Sequence, residues 1–501
     1  MFVHHYDAIL VGTERATRWL ALSLVRRSWQ VLRVVYGPTG STFRFGDYRL
    51  RRGTTVRSSA VGMWTRTVLD DLAANFLLRR WRPSQGTAAS VLGDGLRFRM
   101  LPPGDELDRE FLRQDNVLAG SHRLADWRRR ASAQLGPALA MAADVAISGC
   151  FRRQLLTRAL RSEEREAHKL CADYMNMWRD DARIRARFDA FEAAFDASTD
   201  EESLLRLESL VRMTGPAVEV IGGAETLNEW ADEQLLRAHT TVVRAQRPPG
   251  LLSGHEGRVV IDIDGDLVGG DALVEFDESH FSTSLSQMGE GLSVRGPSWV
   301  PRVHRYAVCL VLRAEAFTSM HGLAMAVPSV AGSDLGALWC ERYQPCDDPR
   351  LTGLVVTTDL PAEDPLHASR LGTMRERIVS RLESVIPYLA RHLIVVDSVY
   401  DGLPLWDYRS GARLPIQRLS AGLPAVEPMP VRWRMGNGGL HSRVPWYRSL
   451  VAKRGGHWLA NARCASRFDS EEPFVMAAVL GRALLGRYAQ KRKELAPWRF
   501  H

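Results

Sequence analysis

The amino-acid sequence predicts an α/β protein in which a Rossmann-type domain is assembled from separate stretches of the chain. Three observations favour this fold. A strand–helix–strand pattern opens the chain between Asp7 and Tyr36, a hairpin and a strand follow at Arg258–Phe276, and a helical pattern runs from Pro473 to about Lys493. A chain of 501 residues is too long for one ordinary domain, so we expect two or three lobes.

The first strand–helix–strand unit has the pattern of a dinucleotide-binding motif. Asp7–Gly12 predicts a short buried strand and Val31–Tyr36 predicts the next one. Between them, a turn at residues 13–17 leads into a helix with apolar residues at Leu20 and Leu24. This is the opening βαβ unit of a Rossmann-type domain, whose phosphate-binding turn lies at the start of the helix.

The glycines of that motif are largely replaced. In the pattern G-x-G-x-x-G, the three glycine positions hold Gly12, Glu14 and Thr17. Gly12 can make the tight turn, but Glu14 places bulk and negative charge where a pyrophosphate binds a helix N-terminus. Tyr36 stands where an acidic residue would hold a ribose. The sequence therefore predicts the fold more strongly than it predicts the cofactor.

The remaining pattern alternates strands and helices. A hairpin is expected at Thr42–Leu50, turning at residues 46–47, and another at Arg258–Val268, turning at residues 264–265. A helical stretch is expected from about Leu107 to Val211, strands at Arg305–Leu312 and Gly353–Thr358, and a helix at Glu376–Tyr388.

Composition and charge exclude several classes of protein. The net charge of +8 comes from 66 basic and 58 acidic residues spread along the chain, a pattern that does not indicate nucleic-acid binding. No apolar run is long enough for a transmembrane segment, and the N-terminus is not a signal peptide. A cytoplasmic location is expected. The basic run Arg487–Lys493 leaves open contact with acidic lipid at a membrane surface.

No metal site is predicted. None of the six cysteines forms C-x-x-C, and no histidine pair completes a zinc site. Asp262, Asp264 and Asp266 alternate in a hairpin and lack the distal glutamate of a calcium loop. No catalytic triad or phosphate-binding loop of the P-loop type is present, so no catalytic residue is assigned.

The order of these elements resembles the phytoene desaturase and amine-oxidase type of FAD-dependent oxidoreductase, as a degenerate member. Tyr6–Tyr36 resembles the family's first FAD-binding unit, and Gly222–Leu227 its glycine pair and helix. Gly257–Glu275 resembles its hairpin and following strand, and Arg375–Asp397 the helix and strand before the last cofactor segment. Gly456–Asn461, followed by residues 477–483, resembles the C-terminal flavin motif.

The resemblance implies a discontinuous FAD-binding fold with a helical insertion and a β-rich lobe of the substrate-binding type. The Rossmann-like domain would comprise residues 1–105, 215–280 and 425–501. The helical insertion would span residues 106–214, and the β-rich lobe residues 281–424.

The resemblance also implies a set of cofactor-binding positions in altered form. The positions that correspond to FAD contacts are Gly12, Arg15, Gly40, Arg44 and Gly481. Four other positions argue against standard FAD binding: Glu14, Thr17, Tyr36 and Ala462. The family's phosphate-facing arginine is missing at residues 39–41 unless Arg44 substitutes for it. The absence of bound FAD is expected over its presence.

Two functions follow from these features. The leading expectation is a non-catalytic protein: an inactive partner of an intact paralogue, a component of a larger assembly, or a binding protein for an apolar ligand. The alternative is an FAD-dependent oxidoreductase with a rebuilt site that acts on an apolar substrate.

The replaced residues lead to a structural expectation as well. Glu14 should point into the cofactor cleft and pair with Arg15, Arg44 or Arg482, because an unpaired buried carboxylate is costly. The cleft should be narrower than a flavin needs, partly filled by Tyr36 and by residues 461–475.

Overall fold

The computed structural model describes most of the chain. The described residues are 4–36, 42–51, 63–83, 89–93, 96–101, 104–115, 121–148, 150–179, 182, 184–185, 188–189, 192, 203–215, 218–220, 225–246, 249–255, 258–276, 299–317, 324–330, 333–361, 367–416, 429–435, 450–454, 456–460 and 472–495.

Helices occur in all three predicted parts of the chain. They are α1 Glu14–Val25, α2 Met63–Asp71, α3 Asp105–Asp115, α4 Ser121–Ile147, α5 Cys150–Met177, α6 Ser203–Met213, α7 Glu225–Arg237, α8 Ala368–Val385, α9 Leu389–His392 and α10 Glu472–Leu495.

The strands alternate with these helices. They are β1 His4–Tyr6, β2 Ala8–Gly12, β3 Val31–Val35, β4 Thr42–Phe45, β5 Tyr48–Arg51, β6 Trp81–Pro83, β7 Ala89–Gly93, β8 Leu96–Met100, β9 Val218–Val220, β10 Thr241–Arg244, β11 Gly250–His255, β12 Arg258–Ile263, β13 Asp266–Gly270, β14 Leu273–Phe276, β15 Trp299–Arg313, β16 Ala324–Val327, β17 Leu338–Tyr343, β18 Leu351–Pro361, β19 Leu393–Asp397, β20 Leu405–Asp407, β21 Leu414–Ile416, β22 Met429–Met435, β23 Val451–Arg454 and β24 His457–Ala460.

A six-stranded sheet forms the Rossmann-like part of the molecule. Its order is β10-β3-β2-β14-β24-β23, and every pair is parallel except β23 with β24. The register places Gly12 beside Val35 and Val11 beside Glu275. Strands from the beginning, the middle and the end of the chain thus share one sheet. The exact boundaries of the three lobes stay a prediction.

Both faces of this sheet are covered, which explains why its strands are almost continuously apolar. Leu10 and Val274 belong to the core shared with α1 and α10, whereas Ile9 and Leu273 pack under the β11–β13 strands. The rings of Trp19 in α1 and Phe474 in α10 lie 4.7 Å apart. The first and last helices of the chain are therefore packed against each other.

A ten-stranded sheet forms the β-rich lobe. Its path is β21-β20-β19-β15-β18-β17-β16-β7-β8, and β22 pairs with β15. Helix α8 packs on one face through residues such as Leu371 and Ile378, and the β4–β5 hairpin covers the other through Leu50. The predicted strands at residues 305–312 and 353–358 lie inside β15 and β18, which pair between residues 303–313 and residues 351–361.

The helical insertion is built on α4, α5 and α6. Trp127 of α4 donates a 2.8 Å hydrogen bond to the carbonyl of Leu170 in α5, and its ring lies 5.0 Å from that of Tyr174. Among the residues described above, no helix combines the length and the apolar composition needed to cross a bilayer.

The predicted turns agree with the structure, and one predicted helix is displaced. Gly46 and Gly265 occupy the expected hairpin turns with positive φ. The helix expected at residues 376–388 is α8, which begins at residue 368 and ends at Val385. It ends there because Pro387 follows Ile386, and a proline disfavours helical backbone at the residue before it.

One buried ion pair ties α8 to the sheet below it. The Arg375 side chain has no exposed surface. Its Nε donates a 2.8 Å hydrogen bond to Asp401 Oδ2, and its Nη1 donates one of 2.8 Å to the carbonyl of Pro404. Tyr306 of β15 donates a 2.7 Å bond to the same Oδ2. The carboxylate of Asp401 is thus shared by α8 and β15.

We expect Arg375→Leu to lower the free energy of unfolding by about 3–5 kcal/mol, because it leaves the Asp401 carboxylate buried without its cation. The measurement is urea unfolding followed by circular dichroism. Arg377→Leu is the matched control: it removes an exposed ion pair with Asp334 and should leave the unfolding midpoint close to that of the wild type. Equal midpoints for the two variants would contradict this account.

A second prediction concerns Glu192 in the helical insertion. Burial raises its pKa from the ordinary 4.5 to about 7, against the opposing effect of Arg206. A carboxyl whose pKa is higher in the folded state stabilises the fold while it is protonated. That contribution is complete below about pH 4.5 and is lost as the pH rises to about 7.

Glu192→Gln should therefore flatten the fall in unfolding free energy between those pH values, as measured by urea unfolding at a series of pH values. Glu166→Gln, at an exposed position of α5, serves as the control and should leave the wild-type slope unchanged. A Glu192→Gln slope equal to that of the wild type would show that Glu192 does not titrate in this range.

Candidate cofactor-binding site

The candidate site lies where β2 ends and α1 begins. Thr13 caps α1: its Oγ1 accepts a 3.3 Å hydrogen bond from the Ala16 amide. The carboxyl ends of parallel strands lie along this edge of the sheet, which is where α/β folds bind ligands. The N-terminal end of α1 carries partial positive charge, and such ends bind anions.

Gly12 is required by packing within the sheet. A Cβ atom added at Gly12 would lie 2.9 Å from the Cβ of Phe276 on the neighbouring strand β14. Such a contact is tighter than two carbon atoms tolerate. The surviving glycine of the motif therefore keeps β2 and β14 in register, whatever else it contributes to ligand binding.

Glu14 is paired with arginine, as expected, but not with the expected arginines. Its Oε1 lies 3.7 Å from Arg18 Nη2 and 3.6 Å from Arg244 Nη2. Arg15 instead lies 3.8 Å from Glu472. The choice of Arg15, Arg44 or Arg482 was thus wrong, because Arg18 is one helical turn away and β10 brings Arg244 beside β3. The partners of Glu14 lie on α1 and β10, not on α10.

Arg482 pairs with another residue, and Arg44 lies on a hairpin. Arg482 of α10 is 3.8 Å from Asp144 of α4. Arg44 is in β4, where it pairs across the strands with Arg49 of β5. Neither arginine forms an ion pair with Glu14 within the described part of the chain.

A buried network of side chains holds the turn in place. Arg18 binds Asp232 of α7 in two bonds, of 2.7 Å to Oδ1 and 2.9 Å to Oδ2. Arg33 of β3 donates from Nε to Thr17 Oγ1 at 3.2 Å and from Nη2 to the Glu14 carbonyl at 3.1 Å. Both residues that replace motif glycines, Glu14 and Thr17, thus accept hydrogen bonds from Arg33.

The network carries an excess of positive charge. Three guanidinium groups, those of Arg18, Arg33 and Arg244, face two carboxylates, those of Glu14 and Asp232. The balance is one positive charge beside the N-terminus of α1. Burial, together with the nearby Arg18, lowers the pKa of Arg33 to about 10, so the group stays charged at neutral pH.

Tyr36 does not fill the cleft in the way expected. Its side chain is buried in the core cluster that also contains Leu251 and Val259, between β3 and the β11–β12 hairpin. Its amide donates a 3.3 Å hydrogen bond to the Gly12 carbonyl. The expected filling of the cleft by residues 461–475 falls mostly outside the described residues, so the width of the cleft stays a prediction.

The predicted cofactor positions are only partly brought together. Gly12 and Arg15 flank the same turn, and Gly481 lies in α10, which packs on α1. Gly40 and Ala462 lie outside the described residues. Sequence reasoning missed Arg33, Asp232 and Arg244. Only Arg33 had a visible signal, as a charged residue in the middle of an otherwise apolar strand. The assignment of these positions to FAD binding stays a prediction.

No group of three or more histidine, cysteine, aspartate or glutamate side chains in the described ranges is arranged to hold a metal ion. The groups at the described edge of the sheet are a helix N-terminus and guanidinium groups, which can bind an anion.

Comparison with known proteins identifies the fold. No protein-family model matches the sequence, and no curated protein matches it. Among solved structures, a putrescine oxidase variant from a redesign of cofactor binding matches with a TM-score of 0.53 at 13% identity, over 97% of this chain and 99% of that chain. Cyclohexylamine oxidase from Brevibacterium oxydans matches with a TM-score of 0.51 at 13% identity, over the same shares.

These matches show that the chain has the α/β, Rossmann-like fold of the amine oxidases over almost its whole length. The resemblance to the phytoene desaturase and amine-oxidase type of protein is confirmed at the level of fold.

The expectation that leaned towards a protein without catalysis is wrong. Solved structures that share this fold over 97% of the chain include putrescine oxidase variants and cyclohexylamine oxidase. That expectation relied in part on the bulk and negative charge that Glu14 places at a phosphate position. The structure compensates Glu14 with Arg18 and Arg244. An inactive partner role has no support from the structure or the comparisons.

Gly12→Ala should lower the free energy of unfolding by about 1–3 kcal/mol, since the new methyl group overlaps the Cβ of Phe276. Urea unfolding measures the loss. The matched control is Gly481→Ala in helix α10, where an added Cβ meets no atom within 4 Å. This control should be neutral or stabilising by up to about 1 kcal/mol, as expected for glycine-to-alanine in a helix. Equal effects at the two positions would refute the packing role of Gly12.

Proposed function

We propose that this chain is an FAD-dependent oxidoreductase whose pyrophosphate site has been rebuilt around arginine side chains. The main observation in support of this proposal is the excess positive charge at the N-terminus of α1, on the edge of the sheet where α/β folds bind ligands. The fold shared with putrescine oxidase and cyclohexylamine oxidase supports the same proposal.

The residues fit a dinucleotide's pyrophosphate. Arg244 is 61% exposed, and its guanidinium lies 3.6 Å from Glu14, which is longer than a strong ionic hydrogen bond. A phosphate oxygen can therefore replace Glu14 as the closer partner of Arg244. Arg18 cannot move in this way, because Asp232 binds it with two short hydrogen bonds.

Each part of the network has a separate task in this proposal. Arg33 fixes the turn by binding Thr17 and the carbonyl of Glu14. Arg244 and the α1 N-terminus bind phosphate. Tyr36 has no carboxylate to offer a ribose, so the ribose is bound more weakly than in a standard site.

When bound, the flavin supplies the redox chemistry, and the protein orients the cofactor and excludes water. We retain an apolar substrate from the sequence analysis. The two related oxidases are named for amines, so an amine with an apolar group is the first compound to assay.

The test is titration of the native protein with FAD, followed by calorimetry. Wild type should bind FAD saturably. Arg244→Gln should weaken binding about tenfold, which corresponds to about 1.4 kcal/mol for one charged hydrogen bond. Glu14→Gln should strengthen it by up to about tenfold, because it removes a negative charge and releases Arg244.

Arg237→Gln is the control variant, since Arg237 is an equally exposed arginine on α7 that pairs with Glu233. It should bind FAD as the wild type does. Absence of saturable binding to the native protein would refute the proposal. Unchanged affinity in Arg244→Gln would refute the role of the arginine while leaving the oxidoreductase assignment to be decided by the spectrum of the purified protein.

A further inference from the structure

The first turns of helix α5 carry apolar side chains on the outside of the molecule. Phe151 is 77% exposed and Leu155 is 52% exposed. The two are one helical turn apart, so they lie on the same face of α5. Thr157 and Leu160 are buried and lie on the opposite face. Phe151 and Leu155 therefore do not belong to the side of α5 that packs against the rest of the protein.

The same turns carry only positive charge. Residues 150–162 contain four arginines and no acidic residue. The arginines are Arg152, Arg153, Arg158 and Arg161, of which all but Arg153 are exposed. Arg153 donates to the carbonyl of Ser148. None of the four forms an ion pair with a carboxylate in the described ranges. We call this exposed set, with Phe151 and Leu155, the α5 basic-apolar face.

The position of Arg152 is electrostatically unfavourable within the isolated molecule. Arg152 and Arg153 lie in the first turn of α5, which contains no acidic residue. Cations are disfavoured at a helix N-terminus, where the partial charge is positive. An anionic surface next to this turn would relieve that repulsion and would also cover the apolar side chains.

We propose that the α5 basic-apolar face attaches this protein to the surface of an anionic lipid bilayer. Phe151 and Leu155 would enter the boundary between headgroups and acyl chains, while the arginines bind the headgroup phosphates. A second copy of the chain fits the face poorly, because a two-fold symmetric contact would bring both sets of arginines together. This proposal is independent of the cofactor.

The test is cosedimentation of the full chain with vesicles of phosphatidylcholine alone and of phosphatidylcholine mixed with phosphatidylserine. The protein should bind the anionic vesicles, bind the neutral ones much less, and be released by high salt. Each arginine near such a surface contributes roughly fivefold to partitioning. Arg152→Gln with Arg158→Gln should therefore weaken binding by roughly 25-fold.

Phe151→Ala with Leu155→Ala should weaken binding about tenfold or more through the loss of apolar contact. The control is Leu236→Ala on α7, where the leucine is 77% exposed, and it should bind as the wild type does. Unchanged urea midpoints would confirm that all variants fold. The proposal is overturned if wild type does not bind anionic vesicles or if the α5 variants bind equally well. It is also overturned if the wild type is a dimer that the α5 variants convert to a monomer.

Discussion

The buried guanidinium of Arg33 is the constraint on which the N-terminal turn depends. Strand β3 lies inside its sheet between β10 and β2, and Arg33 is its single charged residue. A buried cation is tolerated only when its donors are bound. Here they bind Thr17, the Glu14 carbonyl and, at longer range, Asp232. The residues that replace two motif glycines are therefore the acceptors of the cation beneath them.

This dependence changes the meaning of the replaced glycines. A glycine at position 17 would leave the Nε of Arg33 without its acceptor in the interior, at a cost of about 1–3 kcal/mol. Glu14 likewise belongs to a set of charged groups in which the cations outnumber the anions by one. Arg33 thus depends on the side chain of Thr17 and on the backbone carbonyl of Glu14.

Much of the fold could be predicted from local patterns. The hairpin turns at Gly46 and Gly265 follow from turn residues, and the central strands of the large sheet follow from short, nearly continuous apolar runs. The partners of Glu14 could not be predicted in this way. Arg244 comes to lie beside Glu14 only because β10 pairs with β3 across two hundred residues of sequence. A sequence pattern that predicts a strand does not predict which strand pairs with it. The charge balance of the site therefore could not be inferred from the sequence.

The same limit explains why the contact between Gly12 and β14 could not be predicted from the sequence. The sequence offers a motif in which this glycine turns the chain towards a phosphate. The structure shows that Phe276, on a strand that is distant in sequence but adjacent in the sheet, packs against Gly12. Packing against Phe276 thus requires glycine at position 12, whereas positions 14 and 17 hold residues with side chains. A site of this kind can exchange its second and third glycines for charged and polar side chains and still keep its first, because only the first is also held by the sheet.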